Sequence, residues 1–402
     1  MPKLRFPEFS DGWEVKKFDE IFLFSTGKNI KQNEASPKFE TPCVRYGELY
    51  HMYNEVINEV INKTNLDKSE LLFSEGNEIL LPSAGEDPMD IGSASALTIK
   101  NVAIGRTINI LKPLKANFYS QIYVAYYINH KLKKDISKLA KGVSISNVYN
   151  SDLKTLEITL CTLPEQQKIA TFLSTVDEKL KGLKKKKSLL EIYKKGVMQK
   201  LFSQKIRFKD DEENEFDNWE VKKLGETCEI IGGGTPDTIN PEYWNGNIQW
   251  FTPTEIKSDY VSKSIRTITE LGLQKSSAKK LPIGTILLTT RATIGEASIA
   301  LEECTTNQGF QSLIVKEGIN NLFVFNWIKE NKHELTTRAN GSTFPEISKT
   351  EIEKIQIPIP SFQEQTKIAN FLMAIDEKIT NVDTQIKQTE LWKKGLLQQM
   401  FV

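Results

Sequence analysis

The chain carries one long helix-forming stretch twice. The first copy begins Glu165-Gln-Gln-Lys-Ile-Ala-Thr-Phe-Leu173, and the second begins Glu364-Gln-Thr-Lys-Ile-Ala-Asn-Phe-Leu372, 199 positions later. The copies correspond without insertion or deletion as far as Phe202 and Phe401. Apolar residues recur in both at alternating steps of four and three, which is the spacing of a heptad repeat. The sequence therefore predicts two equivalent helices, each with an apolar seam.

A capping-box signature opens each copy. Thr162-x-x-Glu165 and Ser361-x-x-Glu364 place a carboxylate three residues after a hydroxyl. The hydroxyl is expected to accept a backbone N–H at the start of the helix, and the carboxylate is expected to reach back to the first residue. Four polar residues interrupt the seam farther along, so we expect it to be imperfect at Lys187, Lys194, Thr389 and Lys393.

Length and connectivity indicate how the two helices pack. Each copy would be roughly 57 Å long, which is too long to lie within one small domain. Segment 206–362 leaves the end of the first helix and must reach the start of the second. Antiparallel packing allows this without a connection that spans the helix length. The expected arrangement is a dumbbell with pseudo-two-fold symmetry.

The two remaining segments are predicted to be strand-rich. Short extended runs are broken by Gly, Pro, Asn and Ser, and a more helical patch spans residues 120–138. Trp13-Glu-Val-Lys-Lys17 recurs as Trp219-Glu-Val-Lys-Lys223, so the second segment retraces the first. The predicted fold class is α+β, with two strand-rich domains, two long antiparallel helices and a pseudo-two-fold internal repeat. The predicted boundaries are 1–163, 164–203, 204–362 and 363–402.

Composition excludes several classes of protein. Of the 402 residues, 39% are hydrophobic and 26% are charged, as in soluble globular proteins. No apolar run approaches the ~18 residues of a spanning helix, and the N-terminus lacks the apolar core of a signal peptide, so a cytoplasmic protein without membrane association is expected. The net charge of +1 excludes a globally basic coat for nucleic acid, although a local basic patch remains compatible with it.

Catalytic constellations are scarce in the sequence. Cys43, Cys161, Cys228 and Cys304 form no Cys-x-x-Cys pair and are expected to be buried, reduced thiols. Gly232-Gly-Gly-Thr-Pro236 lacks a following lysine and is interpreted as a turn rather than a phosphate-binding loop.

One combination fits a metal-dependent nuclease. Asp237, Glu255 and Lys257 supply two carboxylates and a lysine, for which the first half shows no counterpart. A coiled-coil scaffold that does not contact DNA is a further alternative.

Polar loop residues suit contacts with DNA better than bond-making chemistry. Arg, Asn, Gln and hydroxyl side chains pair with base edges and phosphates. The candidates in the first half are Lys28, Lys31, Arg45, Tyr46, Arg106, Ser144 and Asn147. Those in the second half are Thr235, Trp250, Thr252, Thr289, Arg291, Asn307, Gln308, Ser342 and Thr343.

The chain resembles the specificity subunit of Type I restriction-modification systems. The resemblance lies in two strand-rich units, each followed by a helix with the motifs Glu-Gln-x-Lys-Ile-Ala-x-Phe-Leu and Asp-Glu-Lys. The segments Gly284-Thr-Ile-Leu-Leu-Thr-Thr-Arg291 and Thr305-Thr-Asn-Gln-Gly309 add to the likeness. The resemblance implies a non-catalytic subunit whose two target-recognition domains each read one half of a bipartite, asymmetric site in double-stranded DNA. In the first half, Leu81-Pro-Ser-Ala-Gly-Glu86 stands where the second has Leu288-Thr-Thr-Arg-Ala-Thr293, so the role of Arg291 does not transfer to domain one.

The resemblance also implies partners. The helices would space the two domains and dock two methyltransferase subunits, to which restriction subunits attach. S-adenosylmethionine, ATP and magnesium would then belong to those partners, and this chain would have no catalytic, cofactor-binding or metal-binding residue of its own. Nine lysines between Lys179 and Lys200 face one acid, which fits a solvated face, a phosphate backbone or an acidic partner. The partner-binding candidates are Lys168, Phe172, Lys179, Lys194, Gly196, Lys367, Phe371, Lys378, Lys393 and Gly395.

Overall fold

A computed structural model describes residues 2–142, 144–341 and 345–401. The chain divides into two compact units, Met1–Lys185 with Asp383–Val402, and Lys186–Val382. Each unit therefore contains one strand-rich domain together with part of each long helix. The four-part division expected from the sequence cuts the chain in different places and stays a prediction.

The first unit is built mainly of short strands. Its strands are β1 Glu14–Lys17, β2 Phe22–Thr26, β3 Thr41–Val44, β4 Val56–Ile57, β5 Lys63–Thr64, β6 Phe73–Glu75, β7 Glu78–Pro82, β8 Ala84–Gly85, β9 Ser95–Leu97, β10 Lys100–Ile104, β11 Ile108–Pro113, β12 Ser146–Asn147 and β13 Glu157–Leu160. Its short helices are α1 Phe18–Ile21, α2 Glu48–His51, α3 Pro88–Ile91, α4 Gln121–Tyr127, α5 Lys133–Lys138 and α6 Asn150–Leu153, with a π-helical segment Ile128–Leu132 between α4 and α5. The helical patch predicted over 120–138 is confirmed.

The second unit repeats this plan. Its strands are β14 Glu220–Lys223, β15 Cys228–Gly232, β16 Trp244–Phe251, β17 Tyr260–Val261, β18 Arg266–Ile268, β19 Ile286–Leu288, β20 Ala297–Ala300, β21 Cys304–Thr306, β22 Gln311–Val315 and β23 Gln356–Ile359. Its short helices are α8 Leu224–Thr227, α9 Glu270–Gln274, α10 Asn321–Glu330, α11 Lys332–Thr336 and α12 Lys349–Glu353. The two long helices are α7 Leu163–Phe202 and α13 Phe362–Met400.

The main sheets share one strand order. In the first unit the described strands run β2-β11-β7-β9-β4, and in the second they run β15-β22-β19-β20-β17. The central strands β7 and β19 are buried throughout, because one face of each sheet packs against short helices and the other against strands of a second sheet. The Glu-Val-Lys-Lys strands β1 and β14 pair antiparallel with β13 and β23, directly before the long helices begin. The internal repeat predicted from the sequence is thus a repeat of topology.

The long helices run antiparallel in each unit. In the first unit the start of α7, with Ile169 and Leu173, shares a core with the end of α13, with Leu396 and Met400. In the second unit the end of α7, from Val197 to Phe202, shares a core with residues 368–375 at the start of α13. The antiparallel packing predicted from connectivity is confirmed within each unit.

Two of the lysines that interrupt the seam form ion pairs between the helices. Lys393 Nζ lies 2.7 Å from Asp177 and 3.4 Å from Glu55 of the first domain. Lys194 Nζ lies 2.5 Å from Asp376 and 3.9 Å from Asp259 of the second domain. Each lysine therefore joins both helices to the neighbouring domain. The two breaks in the apolar pattern are positions of specific ion pairs.

The glutamates expected to close capping boxes have another role. Ser361 Oγ accepts the N–H of Glu364 at 3.3 Å, as predicted. The carboxylates, however, are fully buried and face guanidinium groups: Glu165 accepts two hydrogen bonds from Arg5, and Glu364 accepts two from Arg207. Both oxygens of each carboxylate thus accept from an arginine, whereas the sequence predicts that the carboxylate turns back to the start of the helix.

The adjacent glutamines complete the junction between domain and helix. Gln166 accepts the N–H of Ser120 and donates to the carbonyl of Cys161, and Gln365 makes the same contacts with Asn320 and Pro360. The repeated Glu-Gln pair thus fixes each domain to the helix that follows it.

The cysteines lie inside the protein. All four cysteines are buried and unpaired, as predicted. Burial raises the pKa of the Cys43, Cys161 and Cys304 thiols to about 12 and that of Cys228 to about 11. They are therefore uncharged at neutral pH. In the described part of the chain, no helix is both long and apolar enough to cross a membrane.

Candidate nucleic-acid interface

Five loops meet at one end of the first domain, and we call residues 27–31, 44–46, 83–84, 105–107 and 144–147 the first loop cluster. Backbone hydrogen bonds connect each loop to a neighbouring loop. Lys28 donates to Ile104, Gly105 to Val44, Arg106 to Asn29, Ser83 to Thr107, and Val148 to Ser83, at 2.8–2.9 Å. The structure therefore connects the loops that carry the seven residues suggested for domain one.

The backbone of this cluster is tightly packed and partly strained. A Cβ atom at Gly27 would lie 1.9 Å from the carbonyl oxygen of Gly105, so only glycine fits there. Asn29, Ile30 and Thr107 have left-handed φ angles of 52°, 56° and 68°. Such conformations cost free energy and are concentrated at functional sites.

The side chains of the first loop cluster are mainly basic and exposed. Lys28, Lys31 and Arg106 point to solvent. Arg45 is half-buried and donates from Nε to Glu48 at 2.8 Å, which fixes its guanidinium group. Tyr46 and Ser144 are exposed and Asn147 is half-buried. The cluster offers several cations and hydroxyl groups on one surface, a composition that suits phosphate contacts.

The second domain repeats four of these five backbone hydrogen bonds with other side chains. We call residues 233–236, 251–253, 290–292, 307–309 and 346–347 the second loop cluster. Gly234 donates to Thr306, Asn307 to Phe251, Thr290 to Gly309, and Ile347 to Thr290. A Cβ at Gly233 would lie 2.0 Å from the carbonyl oxygen of Asn307. In addition, the hydroxyl of Thr235 donates to the side chain of Gln308.

Not every candidate in the second domain reaches the surface. Trp250 is buried and donates from Nε1 to the carbonyl of Gly234 at 2.8 Å. Thr289 is fully buried, and its hydroxyl bonds to Thr293 and Glu296. Both residues support the loops from inside. Ser342 and Thr343 lie outside the described residues.

Thr252, Asn307, Gln308 and Arg291 retain surface on this cluster. Thr252 and Asn307 are half-buried, whereas Gln308 and Arg291 are exposed. Arg291 Nε lies 2.8 Å from Glu346 Oε1, and the two residues form an antiparallel backbone bridge. Ala84 and Asn147 are bridged at the same place in domain one. The second domain thus has an arginine–glutamate pair where the first has neither charge.

The proposed nuclease residues have structural partners. Both oxygens of Glu255 are occupied: Oε2 accepts the N–H and hydroxyl of Thr252, and Oε1 accepts the N–H of Ile265. Glu48 has the same position in domain one and accepts the N–H of Arg45, so this glutamate has a structural role in both domains. Asp237 accepts the N–H of Ile239. Among the described residues, no three His, Cys, Asp or Glu side chains gather as metal ligands.

Several candidates for partner binding are engaged within the chain. Lys194 and Lys393 form the junctions described above. Lys168 pairs with Glu8, whose carboxyl pKa this hydrogen bond lowers, and Lys367 pairs with Asp211 at 2.7 Å. Phe172 and Phe371 pack edge-on against Phe6 and Phe208. Lys179 and Lys378 are exposed.

Two small apolar patches on the long helices remain exposed. The first apolar patch is Ile192, Tyr193 and Gly196 on α7, and the second is Leu391, Trp392 and Gly395 on α13. Ile192 is 65% exposed and Leu391 71%. A Cβ added at either glycine would have no described atom within 4 Å. The patches correspond at the repeat distance of 199 residues, so the internal repeat could have indicated both, although the sequence suggested only the two glycines as candidates.

Comparison with known protein families shows the family to which this chain belongs. A family model described as the Type I restriction modification DNA specificity domain matches residues 10–192 and 216–390. The chain belongs to this family. It is a DNA specificity subunit of a Type I restriction-modification complex, the non-catalytic subunit of such a system.

Relatives support this assignment over different lengths. The Type I restriction enzyme MjaVIII specificity subunit of Methanocaldococcus jannaschii is 26% identical over 99% of this chain and 93% of its own length. The MjaIX specificity subunit of the same organism is 39% identical over 45% of this chain and 42% of its own length. The crystal structure of a Type I S subunit from M. genitalium has a TM-score of 0.66 and 19% identity, and covers 100% of this chain and 99% of that chain. The fold of the specificity subunit is therefore shared over its full length.

Proposed function

We propose that this specificity subunit reads a bipartite, asymmetric site in double-stranded DNA, one half with each loop cluster. The observation that carries the proposal is the pair of equivalent backbone networks with unlike side chains. Equivalent backbone hydrogen bonds hold the loops that carry Lys28, Arg45 and Arg106 in the first cluster, and the loops that carry Thr235, Thr252 and Gln308 in the second. A fixed scaffold with different side chains suits two readers of different sequences, because base edges are recognised by side chains.

The two clusters are expected to divide their contacts differently. In the first cluster, Lys28, Lys31 and Arg106 suit phosphate oxygens, and Arg45, held by Glu48, suits a base edge. In the second, the exposed Gln308 and Arg291 suit base edges, with Thr235 and Asn307 beside them. Because the sets differ, the site would be non-palindromic, with half-sites near 10 base pairs apart, centre to centre.

The two apolar patches are proposed to dock methyltransferase subunits, one on each patch. Each patch combines a large aliphatic side chain, an aromatic ring and an open glycine on one helix face, which suits close packing of another helix. Restriction subunits would attach through the methyltransferase subunits. S-adenosylmethionine, ATP and magnesium would be bound by these partners.

Selection from a random duplex library tests the proposal. The chain, co-purified with its methyltransferase subunits, is mixed with the library, and the bound duplexes are sequenced. Two short constant blocks separated by a gap of any sequence are expected. The double variant Lys28→Ala/Arg106→Ala should weaken binding, and the slope of log affinity against log salt should become shallower by about one for each phosphate that is no longer bound. Lys263→Ala, which removes an exposed lysine paired with Glu302, is the matched control and should bind as the wild type does.

Other outcomes would support the alternatives. Cleavage of duplex DNA by the purified chain with magnesium alone would favour the nuclease. Loss of that cleavage in the variant Glu255→Gln would favour it further. Binding to methyltransferase without any sequence preference or salt-dependent DNA affinity would favour a scaffold. Either result would contradict the proposed reading function.

A further inference from the structure

Arg291 is presented on a strained turn whose geometry is fixed from beneath. The N–H of Thr293 donates to the carbonyl of Arg291 at 2.6 Å, which closes a γ-turn around Ala292. Ala292 has a φ angle of 60°, an uncommon value for a residue with a side chain. The buried hydroxyl of Thr289 donates to the carbonyl of Thr293 and holds the turn from inside. The backbone of Arg291 therefore has little freedom.

Glu346 fixes the side chain that this turn presents. Its Oε1 lies 2.8 Å from Arg291 Nε, and both side chains are partly exposed, at 41% and 47%. The residues beside them are anchored, because the N–H of the buried Ile347 donates to the carbonyl of the buried Thr290 at 3.2 Å. An ion pair this exposed contributes little to stability. A guanidinium group bound through Nε still has its terminal nitrogens for another acceptor pair.

We propose that Glu346 is a positioning residue that orients the guanidinium of Arg291 toward a guanine in the second half-site. The inference rests on the proposed reading function and adds a specificity-determining residue to it. Guanine O6 and N7 accept two hydrogen bonds from one arginine in the major groove. Holding the guanidinium in one orientation before binding reduces the entropy lost when the complex forms. Domain one has Ala84 and Asn147 at these positions, so only the second half-site is read in this way.

The same selection experiment tests this inference with four variants: Arg291→Ala, Glu346→Ala, Glu346→Gln and the double variant Arg291→Ala/Glu346→Ala. Arg291→Ala should relax the preference at one base pair of the second half-site by on the order of tenfold or more. Glu346→Ala should relax the same base pair to a smaller extent. Glu346→Gln should relax the preference less than Glu346→Ala does, because its side chain keeps the size and shape that lie beside Nε and loses only the charge. The double variant should match Arg291→Ala, because Glu346 acts through Arg291.

Glu302→Ala is the matched control, because it removes an exposed glutamate paired with Lys263 in the same domain. It should leave every base preference unchanged. Relaxation of a different base pair by Glu346→Ala, or additive losses in the double variant, would mean that Glu346 contacts a base itself and would overturn the inference. The inference would also be overturned if Glu346→Ala left the base preference unchanged, or if it lowered the affinity equally for all sequences. If the wild-type complex selects no constant blocks, the proposed reading function fails instead.

Discussion

Single residues at the start of each helix decide how the domains are attached. Glu165 and Glu364 are fully buried, and each accepts hydrogen bonds from an arginine near the start of its domain, Arg5 or Arg207. The hydrogen bond that Arg5 donates to Glu165 raises the pKa of Arg5 above its ordinary value, and the one that Arg207 donates to Glu364 does the same for Arg207. Both arginines therefore stay charged, and each buried carboxylate is compensated by a cation.

Glu364→Ala should strongly destabilise the second unit. The substitution leaves the largely buried Arg207 guanidinium and the indole N–H of Trp219 without their acceptor. Removing one partner of a buried ion pair costs about 3–5 kcal/mol. Urea unfolding followed by circular dichroism measures the change. Glu8→Ala, which breaks an exposed pair with Lys168, should change the unfolding midpoint little. Equal shifts for both variants would contradict the role given to Glu364.

At the scale of the element, the two long helices could be predicted from the sequence, whereas the residues that they contact could not. Heptad spacing is local, so the buried seam could be predicted from the order of residues alone. In the sequence, Lys194 is only an interruption of the apolar seam, because its partner Asp376 is 182 residues away and is brought near by packing. Trp250 and Thr289 were expected at the surface, because nothing in a polar loop sequence shows which groups are satisfied inside.

Gly196→Ala and Gly395→Ala should stabilise the helices but weaken docking of the methyltransferase. Alanine is favoured over glycine by about 1 kcal/mol in a helix, and no described atom would contact the added methyl group. The methyl group would, however, hinder a partner helix packed on the apolar patch. Thermal unfolding of the chain and calorimetric titration with methyltransferase measure the two effects. Gly182→Ala, at another open helical glycine, should stabilise the chain without changing the affinity. Equal affinities for all three variants would contradict docking at the patches.

At the scale of the whole molecule, the duplication could be predicted and the recognised bases could not. The repeated motifs predicted two equivalent domains, because topology depends on many residues that both halves retain. On the proposed reading function, contact with DNA depends on a few loop side chains, such as Arg106 in the first half and Gln308 in the second. Their equivalence follows from shared backbone hydrogen bonds, whereas the loop sequences differ. The Arg291–Glu346 pair joins positions 55 residues apart, so no local pattern indicated it.

The repeated helices predict how the two half-sites are spaced. Removing residues 182–188 and 381–387 deletes one heptad from matching places in both copies and keeps the apolar face nearly in register. Each helix would be shorter by about 10 Å. Because DNA rises 3.4 Å per base pair, the gap between the half-sites should shorten by about three base pairs. Both half-sites should keep their sequences, since neither loop cluster is altered. Library selection with the co-purified methyltransferase measures the gap, and insertion of one heptad at the same places should lengthen it. A constant gap in both variants would show that helix length does not set the spacing.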